Sequence, residues 1–275
     1  MIKDVMARLD GTKADDARLA AVAEIVEHFD GCVIGLFVNA LPLLVPPDND
    51  SVAIAETARL LEKARAAGDV VESSIRQQLA RLQRPAELRR FDTVGDVLGQ
   101  IVSREARTAD AFVALRPDGS AQEPEQLIES VLFGAGRHLV LVPDHRAGSP
   151  AFDHVMIAWN GGREAARAVA EAMPYLRKAK QVSIAVVDED LPVEDEAIRG
   201  KDLAEHLLHH GVAAAIHRVP ADGSIGATLI AESRRLKPDL IVMGGYGHSR
   251  LREWLLGGAT YEMVHNTPVP LLIAH

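Results

Sequence analysis

The chain has 275 residues, of which 48% are hydrophobic and 25% are charged, and these proportions are typical of a globular protein with a full-sized core. Thirty basic residues against 39 acidic residues give a net charge of −9, and only 4% of residues are aromatic. No basic stripe interleaved with aromatic residues is present in the sequence, so we expect no nucleic-acid partner.

The single cysteine and the short apolar runs narrow further the classes of protein to which the chain can belong. Cys32 excludes an internal disulfide and a thiolate metal cluster, and its apolar surroundings at 32–38 predict a buried, unreactive thiol. The first residues do not resemble a signal peptide, and no apolar run has the length of a membrane span. We therefore predict a cytoplasmic protein with no membrane partner.

An internal repeat organises the chain, and its first unit recurs at an offset of 150 residues. Segment 3–11 aligns with 153–161, and the apolar run 32–38 aligns with 182–188. Alanine-rich helical patterns lie between these runs in both halves. The other paired patterns are, in chain order, 15–28 with 163–178, 86–91 with 214–219, 109–114 with 238–243, and 138–142 with 269–274.

Each half therefore predicts the element order β-α-β-α-β-α-β-α-β. Strands that alternate with helices form parallel sheets through right-handed crossovers. We predict an α/β protein of two tandem Rossmann-like domains, each a five-stranded parallel sheet with helices on both faces. The predicted domains are 1–143 and 152–275, and the polar, turn-rich segment 144–150 is the predicted linker.

An insertion distinguishes the first half from the second. Residues 39–50 include three prolines and predict a loop. Residues 51–82 predict one long helix, which Gly68 is expected to interrupt or bend because glycine weakens a helix interior.

Two glycine clusters follow the apolar run 240–243, one beginning at Gly244 and the other at Gly257. Glycine permits a positive φ and a close approach to the backbone. At the carboxyl end of a parallel strand, the approaching group is often a ligand phosphate held by backbone N–H groups. The alternative interpretation is that these glycines only form tight turns.

Residues at the ends of neighbouring strands complete the predicted site. Asn160 or Asp188 is expected to hydrogen-bond a ribose or base edge, and Val187 to pack against an adenine face. Asn160 taken alone is better explained as a turn cap. The second glycine cluster is placed at a helix start, where the helix dipole favours phosphate. The predicted binding residues are Ala158, Asn160, Val187, Met243, Gly244, Gly245, Gly247, His248, Gly257, Gly258 and Ala259.

Three common motifs are missing from the sequence. The dinucleotide fingerprint lacks its third glycine, because Gly245-x-Gly247 continues to Arg250. No P-loop surrounds the pair Gly200-Lys201, and no Gly-x-Ser-x-Gly nucleophile elbow occurs.

The histidines provide weaker signals. His206, His209 and His210 have the spacing of helical metal ligands, although a solvated helix face explains that pattern better. His248 is placed to contact a phosphate or to donate a proton, but no carboxylate nearby in sequence is positioned to orient it. We therefore predict no catalytic residue and no metal-binding residue.

The glycine spacing resembles that of the universal stress protein family. Its nucleotide-binding members carry Gly-x2-Gly-x9-Gly-(Ser/Thr) after the fourth strand, and Gly244-x2-Gly247-x9-Gly257 keeps this spacing. The closing strand 269–273 and both first-strand ends also look like those of the family. Nearly all of the chain resembles a tandem member with two copies of the domain in one polypeptide.

The chain departs from the family pattern at three places. Gly258 stands where binding members have Ser or Thr, which removes a hydroxyl from the terminal phosphate but keeps a backbone N–H. Asn160 replaces the common Asp, so an acceptor remains without its charge. The fourth strand of the first half ends at 115–119 without paired glycine clusters, and that half is expected to complete an intramolecular pseudo-dimer through apposed terminal strands instead of binding nucleotide.

The resemblance implies a stress-response protein without robust catalysis, whose second domain binds an adenine nucleotide, ATP, with no metal beyond the accompanying Mg²⁺. It is also compatible with a homodimer. The alternative is a structural or interaction protein of the same fold that binds no nucleotide and uses helix 51–82 and loop 42–47 as its partner surface. A nucleotide hydrolase using His248 is a third hypothesis, but the sequence lacks an evident metal–carboxylate set and a paired general base.

Overall fold

The computed structural model describes residues 1–44, 51–117, 123–143, 152–188, 193–246 and 258–275. Strands and helices alternate along the chain, as the repeat predicts. The strands are β1 Asp4–Leu9, β2 Cys32–Leu41, β3 Ala86–Val94, β4 Ala111–Leu115, β5 His138–Val142, β6 His154–Ala158, β7 Gln181–Asp188, β8 Ala215–Pro220, β9 Leu240–Gly244 and β10 Leu271–Ala274. The helices of the described ranges are α1 Ala14–Phe29, α2 Ser51–Arg81, α3 Leu98–Ala106, α4 Glu125–Gly134, α5 Arg163–Leu176, α6 Val193–His209, α7 Ile225–Leu236 and α8 Ala259–Asn266.

All ten strands form one sheet in the order β3-β2-β1-β4-β5-β10-β9-β6-β7-β8. Within each half the strands are parallel and share one order, in which the first strand lies between the second and the fourth. The halves join where β5 and β10 pair antiparallel, with Leu141 opposite Leu271 and Leu139 opposite Ile273. The predicted α/β fold class is therefore confirmed, and the apposed terminal strands make the two sheets continuous.

Apolar residues cover both faces of the inner strands of this sheet, which explains why those strands read as near-continuous apolar runs, whereas the edge strands β3 and β8 contain several polar residues. Successive residues of β1 point to opposite sides, so Val5 and Ala7 join one cluster while Met6 joins the other. Helices α1, α2, α5 and α6 cover the first face, and α3, α4, α7 and α8 cover the second. The carboxyl edge of each half is thus left between two helical layers.

Helix α2 runs without interruption from Ser51 to Arg81, so the expected interruption at Gly68 does not occur. Gly68 is buried, and a Cβ there would lie 2.4 Å from Asn39 Nδ2 and 2.9 Å from a guanidinium nitrogen of Arg90. The glycine therefore allows the helix to lie close to β2 and β3.

Cys32 is half-buried at the start of β2, which corrects the expectation of a buried thiol. Its Sγ donates a hydrogen bond of 2.9 Å to Asp4 Oδ1. This contact, together with burial, raises the pKa of Cys32 to about 11, because a thiolate beside the carboxylate is disfavoured. The expected low reactivity therefore has an electrostatic cause.

Several sequence predictions fall outside the described residues. These are the linker at 144–150, residues 45–47 of the loop at 42–47, and the candidate residues Gly247, His248 and Gly257. In the part of the chain that the structure describes, no helix is both long and apolar enough to cross a membrane.

Candidate functional site

The candidate site lies at the carboxyl edge of the second half, where β6 is flanked by β9 and β7. Ala158, the last residue of β6, is in register with Met243 on one side and with Ala185 on the other. The chain order reverses across β6, which makes this edge a topological switch point of the kind that binds ligands in open α/β sheets. The structure therefore brings Ala158 and Met243 together, both buried on the α7/α8 face.

Two other predicted side chains lie at the end of the neighbouring strand β7. Val187 is half-buried on the same face as Ala158 and Met243, one strand away from β6. Asp188 accepts a hydrogen bond of 3.3 Å from Arg218 Nε and is also half-buried. The apolar surface of Val187 and the charge of Asp188 thus border the crevice beyond β7.

Asn160 is exposed two residues after the end of β6, and its side chain shapes the loop. Its Oδ1 accepts a hydrogen bond of 2.9 Å from the backbone N–H of Gly162, the residue that N-caps α5. Gly161 between them has a φ of 75°. The interpretation of Asn160 as a turn-capping residue is therefore confirmed.

Gly244 and Gly245 are required for close packing, and neither has a positive φ. A Cβ on Gly244 would lie 2.4 Å from the backbone nitrogen of Ala165 in α5. A Cβ on Gly245 would lie 2.9 Å from Ile273 Cδ1 and 3.1 Å from Leu132 Cδ2. Other parts of the protein therefore approach both glycines too closely to leave room for a side chain. This packing explains why glycine stands at both positions.

The chain turns beyond these glycines at Tyr246, whose φ of 56° lies in the left-handed region. The Tyr246 N–H donates a hydrogen bond of 3.1 Å to Thr260 Oγ1. Thr260 belongs to the first turn of α8, so this bond fixes the helix start beside the end of β9. Sequence reasoning missed both residues, although they adjoin the two glycine clusters.

Helix α8 begins with its N-terminal N–H groups near this edge. Gly258 is the N-cap, with a φ of −59° and a ψ of 165°, and within the described ranges no side chain caps the helix there. Gly258 and Ala259 are both half-buried. The first turn of a helix leaves N–H groups without intrahelical partners, and its dipole favours an anion.

The start of α7 packs against the start of α8. Ser224 caps α7 by accepting a hydrogen bond of 3.1 Å from the Ala227 N–H, and it donates a hydrogen bond to Glu262 of α8. Gly226 allows this contact, because a Cβ there would lie 2.4 Å from Glu262 Oε2. The Ser224–Glu262 contact therefore helps to hold α8 in place.

A buried carboxylate that sequence reasoning missed lies beside Gly244. Glu164, in the first turn of α5, has its Cβ 2.8 Å from the position that a Gly244 Cβ would occupy. Burial alone would raise the pKa of Glu164, but hydrogen bonds from the Arg163 side chain and from its own backbone N–H lower it. A negative charge therefore borders the crevice on the α5 side.

The histidine cluster at the end of α6 is exposed, which confirms the solvated-face interpretation. His206, His209 and His210 all lie at the surface, and Arg177 donates a hydrogen bond of 3.4 Å to His210 Nδ1. Nowhere in the described ranges do three His, Cys, Asp or Glu residues gather so as to hold a metal ion.

Comparison with known proteins adds to this geometry. A sequence model of the universal stress protein family matches residues 151–275. The second half of the chain is a universal stress protein domain. No curated protein sequence matches the chain.

Solved structures extend the likeness of this universal stress protein domain to the whole chain. A universal stress protein from Archaeoglobus fulgidus aligns with a TM-score of 0.71 and 19% identity, covering 98% of this chain and 97% of its own. A putative universal stress protein from Pseudomonas aeruginosa gives a TM-score of 0.60 and 12% identity over 99% and 93%. At these identities the likeness shows the shared fold alone.

Proposed function

We propose that the universal stress protein domain of the second half binds an adenine nucleotide, with ATP as the expected ligand and Mg²⁺ accompanying it. The observation that carries the proposal is the position of α8, whose N-terminus at Gly258 is fixed beside the end of β9 by the Tyr246–Thr260 hydrogen bond. Helix N-termini at such a strand edge favour phosphate binding.

The remaining predicted residues support an orientation for the nucleotide. Val187 offers a half-buried apolar surface for the adenine ring, on the same face as Ala158 and Met243. Asn160 keeps one oxygen lone pair and its amide donors beyond the bond to Gly162. The phosphates are then proposed to lie toward Gly258 and Ala259.

The proposed role is regulatory and not catalytic. Nucleotide occupancy changes the surface around α8, which a partner protein then contacts. The first domain, proposed to span residues 1–143, contributes its terminal strand to the shared sheet and binds no nucleotide. The second domain is proposed to span 152–275.

Two substitutions at one position test the binding proposal. Both serine and aspartate are good N-cap residues, so G258S and G258D are expected to preserve α8. G258S supplies a hydroxyl to a phosphate and should tighten ATP binding about tenfold, whereas G258D places a carboxylate there and should weaken it at least about tenfold. Equilibrium dialysis with ATP, ADP and AMP measures both changes.

The same pair of variants provides its own control, because thermal unfolding should be nearly equal for G258S and G258D. If neither the wild-type protein nor G258S retains nucleotide when the nucleotide is present at millimolar concentration, the proposal is refuted.

A second candidate function, an interaction protein that binds no nucleotide, is favoured by Gly244. The close approach of the Ala165 backbone already explains why residue 244 is glycine, so no ligand is needed to account for it. The exposed start of α2 offers a surface for a partner protein. A survival assay in cells distinguishes the two candidates. If G258D has lost ATP binding in dialysis but still supports stress survival as well as wild type, the interaction role is favoured.

A further inference from the structure

The first half contains a buried arginine at the crevice that corresponds to the candidate site. Arg18 of α1 has no exposed side-chain surface. Its Nε donates a hydrogen bond of 2.9 Å to Glu123 Oε2, and its Nη1 donates one of 2.8 Å to Asp15 Oδ1. The same Nη1 lies 3.3 Å from Asp10 Oδ2, just beyond the end of β1.

Glu123 brings a carboxylate to the end of β4. Its side chain is 2% exposed, and Oε2 also accepts a hydrogen bond of 3.1 Å from the backbone N–H of Leu115, the last residue of β4. The other oxygen, Oε1, is buried without a hydrogen-bond partner among the described residues. One carboxylate oxygen thus receives a guanidinium donor and a strand-end N–H donor together.

Equivalent positions in the two halves show where this carboxylate lies. Leu115 ends β4 as Gly244 ends β9. The residues that follow them make the same bond, with Arg116 N–H donating to Val142 O at 2.8 Å and Gly245 N–H donating to Ala274 O at 2.9 Å.

The helix starts correspond as well. Pro124 is the N-cap of α4 and Gly258 is the N-cap of α8, so Glu123 precedes its helix as Gly257 does in sequence. The first half therefore carries a glutamate at the position where the sequence of the second half has a glycine.

The guanidinium has no counterpart at the same offset. Ala168 stands 150 residues after Arg18 and is fully buried in α5. Burying a charged group is costly unless another charge or several hydrogen bonds compensate it. In the first half, the compensation comes from within the chain.

We propose that the crevice of the first half is a receptor for a small oxyanion, built from the Arg18 guanidinium and the Leu115 N–H, and that its resident ligand is the chain's own Glu123 carboxylate. The expected ligands are small carboxylates such as formate or acetate, because the resident Glu123 side chain presents a carboxylate to the receptor. This inference depends on the first half alone and stands whether or not the second half binds nucleotide.

Chemical rescue tests the receptor. In E123A the Nε donor of Arg18 and the N–H donor of Leu115 lose the Glu123 acceptor, so the melting temperature should fall. Sodium formate should then restore it saturably, by about 3 °C or more at ten times the dissociation constant, while sodium chloride at equal ionic strength should not. Wild-type protein, whose receptor is filled, should respond to both salts alike.

Two further variants separate the receptor from general salt effects. E125A removes the neighbouring, exposed carboxylate, which contacts His265 at 3.1 Å, and should show no response specific to formate. R18M/E123A removes the guanidinium and should lose the rescue. An equal response of E123A and R18M/E123A to formate would overturn the proposal.

The E123Q variant covers the case in which E123A fails to fold. Its amide oxygen replaces the acceptor for Arg18 and Leu115, so E123Q should fold in either salt. E123A that folds in formate but not in chloride supports the receptor. E123A that stays unfolded in both salts while E123Q folds contradicts it, because a formed receptor should accept formate.

Discussion

Gly244 and Gly258 belong to the same crevice, but the structure uses their missing side chains differently. Gly244 faces the backbone of α5, and a Cβ there would meet Ala165 N at 2.4 Å. Gly258 N-caps α8 with a φ of −59°, a conformation open to other residues. The missing side chain is therefore required by packing at Gly244, whereas the backbone conformation of Gly258 is compatible with other residues.

The first prediction concerns Gly244. G244A should lower the free energy of unfolding by about 1–3 kcal/mol, because a backbone atom cannot move aside as a flexible side chain can. Urea unfolding measures the loss. G258S is the matched control and should change stability by only a few tenths of a kcal/mol. Equal stability of G244A and wild type would contradict the close approach of α5.

The second prediction concerns the thiol of Cys32. The Asp4 carboxylate keeps the thiol protonated at neutral pH, with a pKa of about 11, so wild-type protein should react slowly with iodoacetamide. D4N should increase the alkylation rate at pH 8 by about tenfold, because the thiolate no longer faces a negative charge. D30N removes an exposed carboxylate nearby and should leave the rate unchanged. An unaltered rate in D4N would assign the raised pKa to burial alone.

Individual elements differ in how much of their length the fold supports. The last part of α2 is anchored by Ile75, which is 0% exposed, whereas Ile54 near its start is 51% exposed. The helix is continuous between them, since Gly68 lies against β2 and β3. The N-terminal part of α2 is therefore stabilised mainly by being continuous with the buried C-terminal part of the same helix.

The third prediction compares two isoleucines of this helix. I75A should lower the free energy of unfolding by about 2–5 kcal/mol because it leaves a cavity in the core. I54A should cost less than about 1 kcal/mol, since that side chain is half in solvent already. Urea unfolding of both variants provides the comparison. Similar losses would mean that the start of α2 is packed more tightly than its exposure indicates.

Elements with a local apolar pattern were predictable from sequence, and long-range polar contacts were not. The apolar runs predicted the inner strands, because strands buried on both faces carry the signal in nearly every residue, whereas the repeat predicted the half-exposed edge strands β3 and β8. Arg18 and Glu123 gave no comparable signal, since they are 105 residues apart and meet only after folding. Gly68 misled the prediction because the helix propensity of glycine was overridden by a tertiary contact.

The whole molecule is held together at the junction of β5 and β10, and helices α1 and α5 meet above it. Tyr175 is fully buried there, with its ring 4.8 Å from Phe29 and 5.5 Å from Phe152. Beside it, Glu171 Oε2 lies 3.1 Å from His138 Nδ1. A polar contact therefore connects β5 of the first half to α5 of the second.

The fourth prediction follows from the charge of Glu171. Burial alone would raise its pKa, but the contact with His138 and the charge of Arg167 lower it in the folded protein. A lowered pKa adds stability above the unfolded pKa and loses it as the pH falls through the folded one. E171Q should thus be less stable than wild type at neutral pH, and the difference should shrink below about pH 4.

Thermal unfolding between neutral and acidic pH measures this difference. E129Q, which changes an exposed carboxylate on α4, is the control and should follow wild type at every pH. A gap between E171Q and wild type that stays constant as the solution is acidified would exclude Glu171 as its source.

The antiparallel pairing of β5 and β10 joins the two halves within one polypeptide, so their encounter is intramolecular. Separate subunits paired in this way would dissociate on dilution, whereas the covalent link keeps the effective concentration of one half near the other constant. The pairing of the two halves therefore does not depend on the concentration of the protein. Constant pairing lets the two crevices diverge in sequence, with Glu123 before α4 in the first half and Gly257 before α8 in the second.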